Sequence, residues 1–220
     1  MLLLAHRGDH RAAPENSLAA FAAALAIPGV GGLELDVRAA ADGRAVVLHD
    51  ATLTRVHGVR RRAARLGAVE LAAVGVPSLA AVLAACPPDA FLDVELKEDL
   101  GEAALGPIRD ARGRPDGGVA NVVVSSFDGA ALAAVRRLAP GWPCWLNTAW
   151  LADRVVRAAV ELGCTGIAAE WHRIDEGQAE RVRAAGLDLA AWTVRDPAVL
   201  GRLAGIGVVA ACVEGAALPG

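Results

Sequence analysis

The sequence predicts an α/β protein folded as a closed (β/α)8 barrel of the TIM type. Short runs rich in Val, Leu and Ile alternate with Ala-rich helical stretches along the chain, and this alternation is typical of a parallel sheet with right-handed crossovers. Eight such runs favour a closed barrel over an open doubly wound sheet. No Gly-x-Gly-x-x-Gly pattern follows the first run, so a dinucleotide-binding fold is not indicated.

The predicted strands are short apolar runs, several of them flanked by Gly, Pro or Asn. In chain order they cover residues 2–6, 32–37, 91–97, 121–126, 143–148, 166–171, 187–194 and 208–214. An additional extended segment, residues 45–49, follows the turn sequence Ala-Asp-Gly at residues 41–43.

The predicted helices lie between these strands, and residues suited to helix ends support them. They cover residues 17–25, 79–85, 129–138, 152–162, 176–185 and 197–203. Asn16 or Ser17 suits the first N-cap, and Gly163 and Gly186 stand where two helices should end. Gly, Pro and Arg interrupt residues 58–77, where we expect a short excursion without a core of its own. The sequence thus predicts one domain, residues 1–220, with a short insertion at about residues 51–77.

The composition is that of a compact globular protein without a strong charge. Of its 220 residues, 55% are hydrophobic and 21% are charged, the formal net charge is −3, and the mean hydropathy is +0.39. Basic residues form no long block apart from Arg60, Arg61, Arg62 and Arg65, which we interpret as a solvated loop. A nucleic-acid partner is therefore not predicted.

The cysteines and the apolar runs indicate a reducing, aqueous compartment. The four cysteines are far apart and show no Cys-x-x-Cys spacing, so neither a zinc site nor a disulfide scaffold is predicted, and we expect reduced, mostly buried thiols. The apolar run at residues 2–5 is too short for a signal peptide, and no stretch approaches the roughly 18 apolar residues that span a bilayer. We predict a cytoplasmic protein without stable membrane insertion.

Polar residues on two predicted strands share the face that points into the barrel. Side chains alternate along a strand, so Glu34 and Asp36 point one way while their apolar neighbours point the other. Asp93, Glu95 and Lys97 repeat this pattern on the next predicted strand. Inward-pointing side chains near the C-terminal ends of parallel strands meet at the mouth of the barrel. These carboxylates are therefore predicted to converge there. Asp93 lies deeper on that face and is predicted to form a structural ion pair.

Three of these carboxylates predict a metal site. Glu34, Asp36 and Glu95 offer hard oxygen ligands, which suit Mg²⁺ or Ca²⁺ better than zinc. The alternative is that each strand carries an internal salt bridge, to Lys97 or to Arg38. The repetition of the pattern on two strands favours one divalent cation.

Two histidines and an arginine indicate the chemistry of the site. His6 ends the first predicted strand and His49 ends the extended segment. Either histidine alone would fit a structural polar residue, but two imidazoles can protonate a leaving group and activate a nucleophile in turn. Arg7 supplies a planar fork for phosphate oxygens. Together with a metal ion, these groups indicate phosphodiester cleavage.

Six short motifs follow one another along the chain: HRG…PENSLAAF, ELDVRAAADGRAVVLHDATLTR, VPSLAAVL, DVELK, SSF and AWTV. In their order, and nearly in their spacing, they resemble the motifs of the glycerophosphodiester phosphodiesterase family. The resemblance covers roughly residues 3–195 and is strongest before Lys97.

The resemblance implies a TIM-type barrel that hydrolyses glycerophosphodiesters to sn-glycerol 3-phosphate and an alcohol with one divalent cation, Mg²⁺ or Ca²⁺. His6 and His49 match the family's catalytic pair. The matched metal ligands are Glu34, Asp36 and Glu95, and the matched substrate-binding positions are Arg7, Glu15, Lys97 and Trp192. Arg7 and Lys97 correspond to phosphate contacts and Trp192 to an aromatic wall, whereas the resemblance gives Glu15 no specific role.

Some stretches depart from the resemblance. Asp9, His10 and Arg11 lie outside it and are interpreted as a solvated loop. Arg195 stands where the family often has Asn, and we place it outside the site. The family commonly ends with a Thr-Asp pair and a closing helix, whereas this chain reads CVEGAALPG. The last helix is therefore missing or replaced, and an exposed apolar strip there would favour a homo-oligomer.

Two other functions remain open at this point. Related barrels act on lysophospholipids as phospholipase D or sphingomyelinase D type enzymes, although the sequence lacks an evident membrane-docking segment, which favours a small-molecule substrate. A barrel that binds metal or phosphate without turnover is the other alternative, and the complete set of His, Glu and Asp residues argues against it. An amidohydrolase is excluded because the first strand lacks a His-x-His pair.

Overall fold

Eight parallel strands form a closed barrel in the computed structural model, which describes residues 1–219. With one further short strand outside the ring, the described residues contain nine strands: β1 (Leu2–His6), β2 (Gly32–Ala39), β3 (Ala45–Val47), β4 (Phe91–Leu96), β5 (Val122–Ser126), β6 (Cys144–Thr148), β7 (Gly166–Glu170), β8 (Asp188–Val194) and β9 (Ala210–Val213). The order around the barrel is β1-β2-β4-β5-β6-β7-β8-β9, and β9 pairs back with β1. The short β3 lies outside the ring, antiparallel to β2. The predicted (β/α)8 barrel is confirmed.

Helices cover the outside of the barrel. They are α1 (Leu18–Leu25), α2 (Thr54–His57), α3 (Ala68–Ala73), α4 (Leu79–Ala85), α5 (Glu102–Arg112), α6 (Gly129–Leu138), α7 (Asp153–Glu161), α8 (Glu176–Ala184) and α9 (Leu200–Gly205). Ser17 is the N-cap of α1, since its hydroxyl accepts a hydrogen bond from the Ala20 amide at 3.2 Å. After α7 and α8, Gly163 and Gly186 adopt φ angles of +68° and +74°, which glycine tolerates without a steric cost.

One barrel helix was not predicted from the sequence. Helix α5 contains Gly106 and Pro107, a pair that normally indicates a loop. The helix forms because Leu105 and Ile108 are fully buried against the barrel. Its last residue, Arg112, is buried and donates to carbonyls of the loop between α4 and β4, including that of Pro87 at 2.8 Å. Tertiary packing therefore overrides the local preference.

The excursion has a small core, so the expectation that it lacks one was wrong. A 3₁₀ turn (Ala63–Arg65) and helices α2 and α3 fold over β3. The cluster of buried residues comprises Ala40, Val46, Leu48, Leu53, Ala63, Leu66, Ala68, Leu71 and Val76. The apolar side chains between the Gly and Arg residues bury the outer side of the hairpin between β2 and β3, and this fixes the segment that carries His49.

Within residues 1–219, no α-helix follows β9, and the segment after this strand covers that side of the barrel instead. A 3₁₀ turn (Gly215–Ala217) follows β9, and Ala217 and Leu218 are buried in the main core. Arg11 donates to the carbonyls of Gly215 and Leu218, both at 3.2 Å. This chain segment therefore packs where the family's closing helix was expected.

His10 and Arg11 are exposed loop residues, as the interpretation from the sequence expects, whereas Asp9 corrects that interpretation. Asp9 is buried, with 7% of its surface exposed, and its carboxylate pairs with Arg11 Nε at 2.8 Å. His10 Nε2 lies 3.6 Å from Glu214 Oε2. These residues bind the end of the chain because the closing of β1 onto β9 brings the two termini together.

Apolar side chains fill the deep interior of the barrel, and the polar residues that point inward lie at its mouth. The residues that fill it include Leu4, Val123, Trp145, Ala168, Ala190, Ala210 and Cys212. All four cysteines are buried and unpaired in the described residues, as predicted. Across residues 1–219, the helices are too short or too polar to cross a bilayer.

Candidate active site

Strand register brings the polar residues of the mouth together in two layers. His6 of β1 pairs with Glu34 of β2, and Glu34 pairs with Asp93 of β4. One step toward the mouth, Asp36 pairs with Glu95. Because alternate residues of a strand share a face, these side chains all point into the barrel at its C-terminal end.

The three carboxylates predicted to bind a metal converge. One carboxylate oxygen from each of Glu34, Asp36 and Glu95 lies within 4.8 Å of the others. These residues are 4%, 1% and 8% exposed, so water screens their mutual repulsion poorly. Three buried oxygen donors at this separation can hold one hard divalent cation.

The electrostatics of the cluster favour a bound cation. Burial raises the pKa of Glu34 well above its usual value, and the nearby charges of Asp36, Glu95 and Asp93 raise it further. Burial likewise raises the pKa of Glu95, against the lowering effect of Lys97. Among the described residues, the carboxylates of this cluster outnumber its two cations, Lys97 and Arg7. The donor set therefore fits a divalent metal ion.

Asp93 does not form the structural ion pair that the sequence predicted. Its carboxylate accepts a hydrogen bond from Ser125 Oγ at 2.5 Å, and within the described residues no basic side chain pairs with it. Burial raises the pKa of Asp93 to about 7, although the Ser125 bond lowers it. A hydroxyl thus takes the place of the expected cation because Ser125 projects from the neighbouring strand β5.

The carboxylates that could hold a metal also form ion pairs with basic side chains, so the salt-bridge alternative holds for Lys97 but not for Arg38. Lys97 Nζ lies 2.7 Å from Asp36 Oδ1 and also contacts Glu95. Arg7 Nε lies 3.0 Å from Asp36 Oδ2. Arg38 instead donates to the His49 carbonyl at 2.7 Å, so it holds the histidine segment rather than a carboxylate.

Two residues of the PEN segment support the cluster from behind. Asn16 has a φ of +58°, and its Nδ2 donates to Asp36 Oδ2 at 2.8 Å. Sequence reasoning offered Asn16 only as a helix cap. The carboxylate of Glu15 contacts Arg7 Nη1 at 2.9 Å and Arg55 Nη1 at 2.7 Å. Glu15 therefore lies behind Arg7, which it holds in place.

His6 is oriented by a carboxylate that the sequence analysis missed. Its Nδ1 lies 2.5 Å from Glu214 Oε2, and its Nε2 lies 3.8 Å from Glu34 Oε2. Burial lowers the pKa of His6, and the Glu214 hydrogen bond opposes that shift. An Nδ1–H donated to Glu214 leaves Nε2 free to face the carboxylate cluster. The only available signal was that an acidic residue, Glu214, ends the last predicted strand.

His49 has a similar arrangement. Its Nδ1 lies 2.7 Å from Asp50 Oδ1, and Arg55 Nε contacts Asp50 Oδ2 at 2.7 Å. The Arg55 hydrogen bond lowers the pKa of Asp50 to about 2, so the carboxylate is charged at neutral pH. Each histidine is thus paired through Nδ1 with a carboxylate, as in enzymes that use imidazole as a proton carrier.

A cavity of about 240 Å³ lies between the two histidines. Its lining includes His6, Arg7, Glu34, His49, Glu95, Lys97, Phe127, Trp192 and Arg195. Trp192 donates its indole N–H to the Ala168 carbonyl at 2.9 Å and meets Phe127 edge to face, with the ring centroids 5.4 Å apart. Arg195 was placed outside the site from the sequence and instead forms part of this wall. Glu15 and Asp36 are not in contact with the cavity in the described residues.

A TIM-type barrel with acidic residues and two carboxylate-paired histidines at its mouth is an arrangement typical of enzymes that act at that end of the fold. A sequence profile of the glycerophosphoryl diester phosphodiesterase family matches residues 6–215. The chain belongs to this family, which confirms the resemblance drawn from its motifs.

Individual relatives agree with the family. A glycerophosphodiester phosphodiesterase from Caldanaerobacter subterraneus subsp. tengcongensis is 50% identical over 54 residues, 24% of this chain and 22% of that relative. The chain therefore aligns with less than two thirds of that protein. A solved phosphodiesterase from Oleispira antarctica, in complex with the product sn-glycerol-3-phosphate, has a TM-score of 0.85 at 24% identity and covers 97% of this chain and 92% of its own. A glycerophosphodiester phosphodiesterase structure from Agrobacterium tumefaciens has a TM-score of 0.79 at 25% identity, with 99% and 98% covered.

Proposed function

We propose that this protein hydrolyses glycerophosphodiesters to sn-glycerol 3-phosphate and an alcohol. The observation that carries the proposal is the cluster of Glu34, Asp36 and Glu95. Beside this cluster, His6 and His49 line the same cavity. Family membership supports it, and the structural relative from Oleispira antarctica holds sn-glycerol-3-phosphate.

The three carboxylates would hold Mg²⁺ or Ca²⁺. When bound, the ion supplies positive charge to the nonbridging phosphate oxygens as negative charge develops on them. Arg7 and Lys97, which already contact Asp36, bind the same phosphate group from the cavity wall. Glu15 keeps the Arg7 guanidinium in place through their 2.9 Å contact.

The two histidines carry the proton transfers. With Nδ1–H donated to Glu214 and Asp50, the Nε2 atoms of His6 and His49 are available in the cavity. One removes a proton from the attacking hydroxyl or water, and the other protonates the departing oxygen. Trp192 and Phe127 cover the apolar part of the substrate.

A turnover screen tests this function. Glycerophosphocholine, glycerophosphoethanolamine, glycerophosphoglycerol and lysophospholipids are incubated with the protein in EDTA, and then with Mg²⁺ or Ca²⁺ restored. We expect release of glycerol phosphate from the glycerophosphodiesters only after a divalent ion is restored. Turnover of lysophospholipids alone would favour the phospholipase D or sphingomyelinase D type reaction. Metal binding without any turnover would favour a non-catalytic barrel.

The Glu214→Gln substitution tests the orientation of His6. The amide cannot carry the negative charge that stabilises protonated His6 across the 2.5 Å contact, so we expect kcat to fall about 100-fold while KM changes little. Glu214→Asp keeps the charge on a shorter side chain and should recover part of the loss. An unchanged kcat in Glu214→Gln would show that His6 needs no carboxylate partner.

A further inference from the structure

Arg195 occupies the wall of the cavity at its outer edge. It follows β8 directly, three residues after Trp192, and lines the same cavity as His6 and Trp192. Its side chain is 70% exposed, so the guanidinium reaches the solvent at the entrance. A substrate in the cavity can therefore contact this charge.

Glu214 forms an ion pair with Arg195 through its Nε atom. Its Oε1 lies 2.5 Å from Arg195 Nε, while its Oε2 lies 2.5 Å from His6 Nδ1. One carboxylate therefore holds both the proton carrier and the entrance cation. The contact uses Nε, so the two terminal nitrogens of Arg195 can bind another anion as a fork.

The charges around this entrance favour an anionic ligand group. Glu214 is the carboxylate in contact with Arg195, and His6 and His10 share it. The carboxylates of the metal cluster lie on β2 and β4, where they face Lys97 and Arg7. A cationic headgroup beside Trp192 would gain contact with the indole ring but would meet the positive charge of Arg195, and like charges in contact are unfavourable.

We propose that Arg195 is a specificity-determining residue that selects glycerophosphodiesters whose alcohol part carries an anionic group, a carboxylate or a phosphate, over those with a cationic headgroup. This inference rests on the proposed function and adds its substrate class. The phosphate under attack binds at the metal end of the cavity, and the second anionic group binds the terminal nitrogens of Arg195 at the entrance.

Three matched substrates test the selection. They are glycerophosphoglycerate, glycerophosphoglycerol and glycerophosphocholine, whose alcohol parts are anionic, neutral and cationic. The measured quantity is the ratio of kcat/KM for the glycerate ester to that for the choline ester. This ratio cancels any effect that a substitution exerts on His6 through Glu214, because both substrates share the same chemistry.

We expect the ratio to exceed one in the unsubstituted protein and to fall about tenfold in Arg195→Asn, since an exposed ion pair and an exposed like-charge contact each change kcat/KM by a few fold. Arg195→Lys should keep most of the selection. Arg173→Asn is the control, because Arg173 stacks on Trp150 with its guanidinium carbon 3.7 Å from the ring centroid and lies outside the cavity lining.

The outcomes separate this inference from the function on which it rests. If the unsubstituted protein releases glycerol phosphate and the ratio is the same in Arg195→Asn, the inference is wrong and the proposed function stands. An equal fall in Arg173→Asn would also contradict it, since a diffuse positive field would then explain the preference. If no ester is cleaved with a divalent ion present, the proposed function itself fails.

Discussion

The His6→Ala and His49→Ala proteins are each expected to lose about 10³-fold in kcat for glycerophosphodiester hydrolysis. A positioned general acid or base typically contributes 10²–10⁴-fold, and each ring lines the cavity with a carboxylate on its Nδ1. Each protein would retain one proton carrier and the whole carboxylate cluster. The measurement is glycerol phosphate release at saturating substrate and divalent ion.

His172→Ala provides the matched control. His172 is also near the mouth and also contacts a carboxylate, Glu170, at 2.5 Å, but it stacks on Trp171 and is not in the cavity lining. Its removal should leave kcat within about twofold of the original value, because exposed side chains away from the site have small effects. Near-normal turnover in His6→Ala or His49→Ala, with the thermal transition unchanged, would remove that histidine from the mechanism.

The acidic cluster could be predicted from the sequence because it follows from a strictly local rule. The two-residue period of a strand places Glu34 with Asp36, and Asp93 with Glu95, on one face. The remaining step was that β2 and β4 are neighbours, which the alternation of strands and helices supplied. A short hairpin strand between them does not alter this, since β3 pairs on the outside of the ring.

Glu214 was not predicted because its contact with His6 joins the first and last strands and follows from no pattern within one segment. It lies 208 positions from His6 along the chain, and only the pairing of β9 with β1 brings the two residues together. The same closure explains Arg195, which reaches the site through Glu214. No periodicity within one segment reports such a contact.

Local rules also left the outcome open, or missed it, where a segment suited two structural roles. Asn16 fits a helix N-cap by residue type, but Ser17 caps α1 and Asn16 binds Asp36. In α5, the Gly106–Pro107 pair has the composition of a loop, yet burial of the neighbouring apolar residues keeps the segment helical. In each case a tertiary contact, not visible in the local sequence, decided the outcome.

Glu34→Gln is expected to raise the dissociation constant for Mg²⁺ or Ca²⁺ about 100-fold, because affinity in oxygen-ligand sites depends on the number of charged ligands. The amide oxygen still accepts the Arg7 backbone N–H, 3.3 Å from Glu34 Oε2, so the fold is maintained. Isothermal titration calorimetry measures the affinity independently of turnover. Asp93→Asn is the control: Asp93 neighbours Glu34 in register but is bonded to Ser125, so we expect a change of threefold or less, as a rough bound for a non-ligand.

Without a metal ion, the Glu34→Gln substitution is expected to stabilise the fold. Burial and three neighbouring carboxylates raise the pKa of Glu34 well above its usual value, and an acid whose pKa is raised by folding destabilises the fold at pH values above its unfolded pKa. Glu34→Gln removes that cost, so its Tm in EDTA should be higher than that of the original protein, by about 2–4 °C per kcal/mol for a chain of this size. If the charge of Glu34 only stabilised the fold, Glu34→Gln would instead lower the Tm in EDTA. A lower Tm in EDTA together with an unchanged metal titration would therefore contradict the assignment of Glu34 as a ligand.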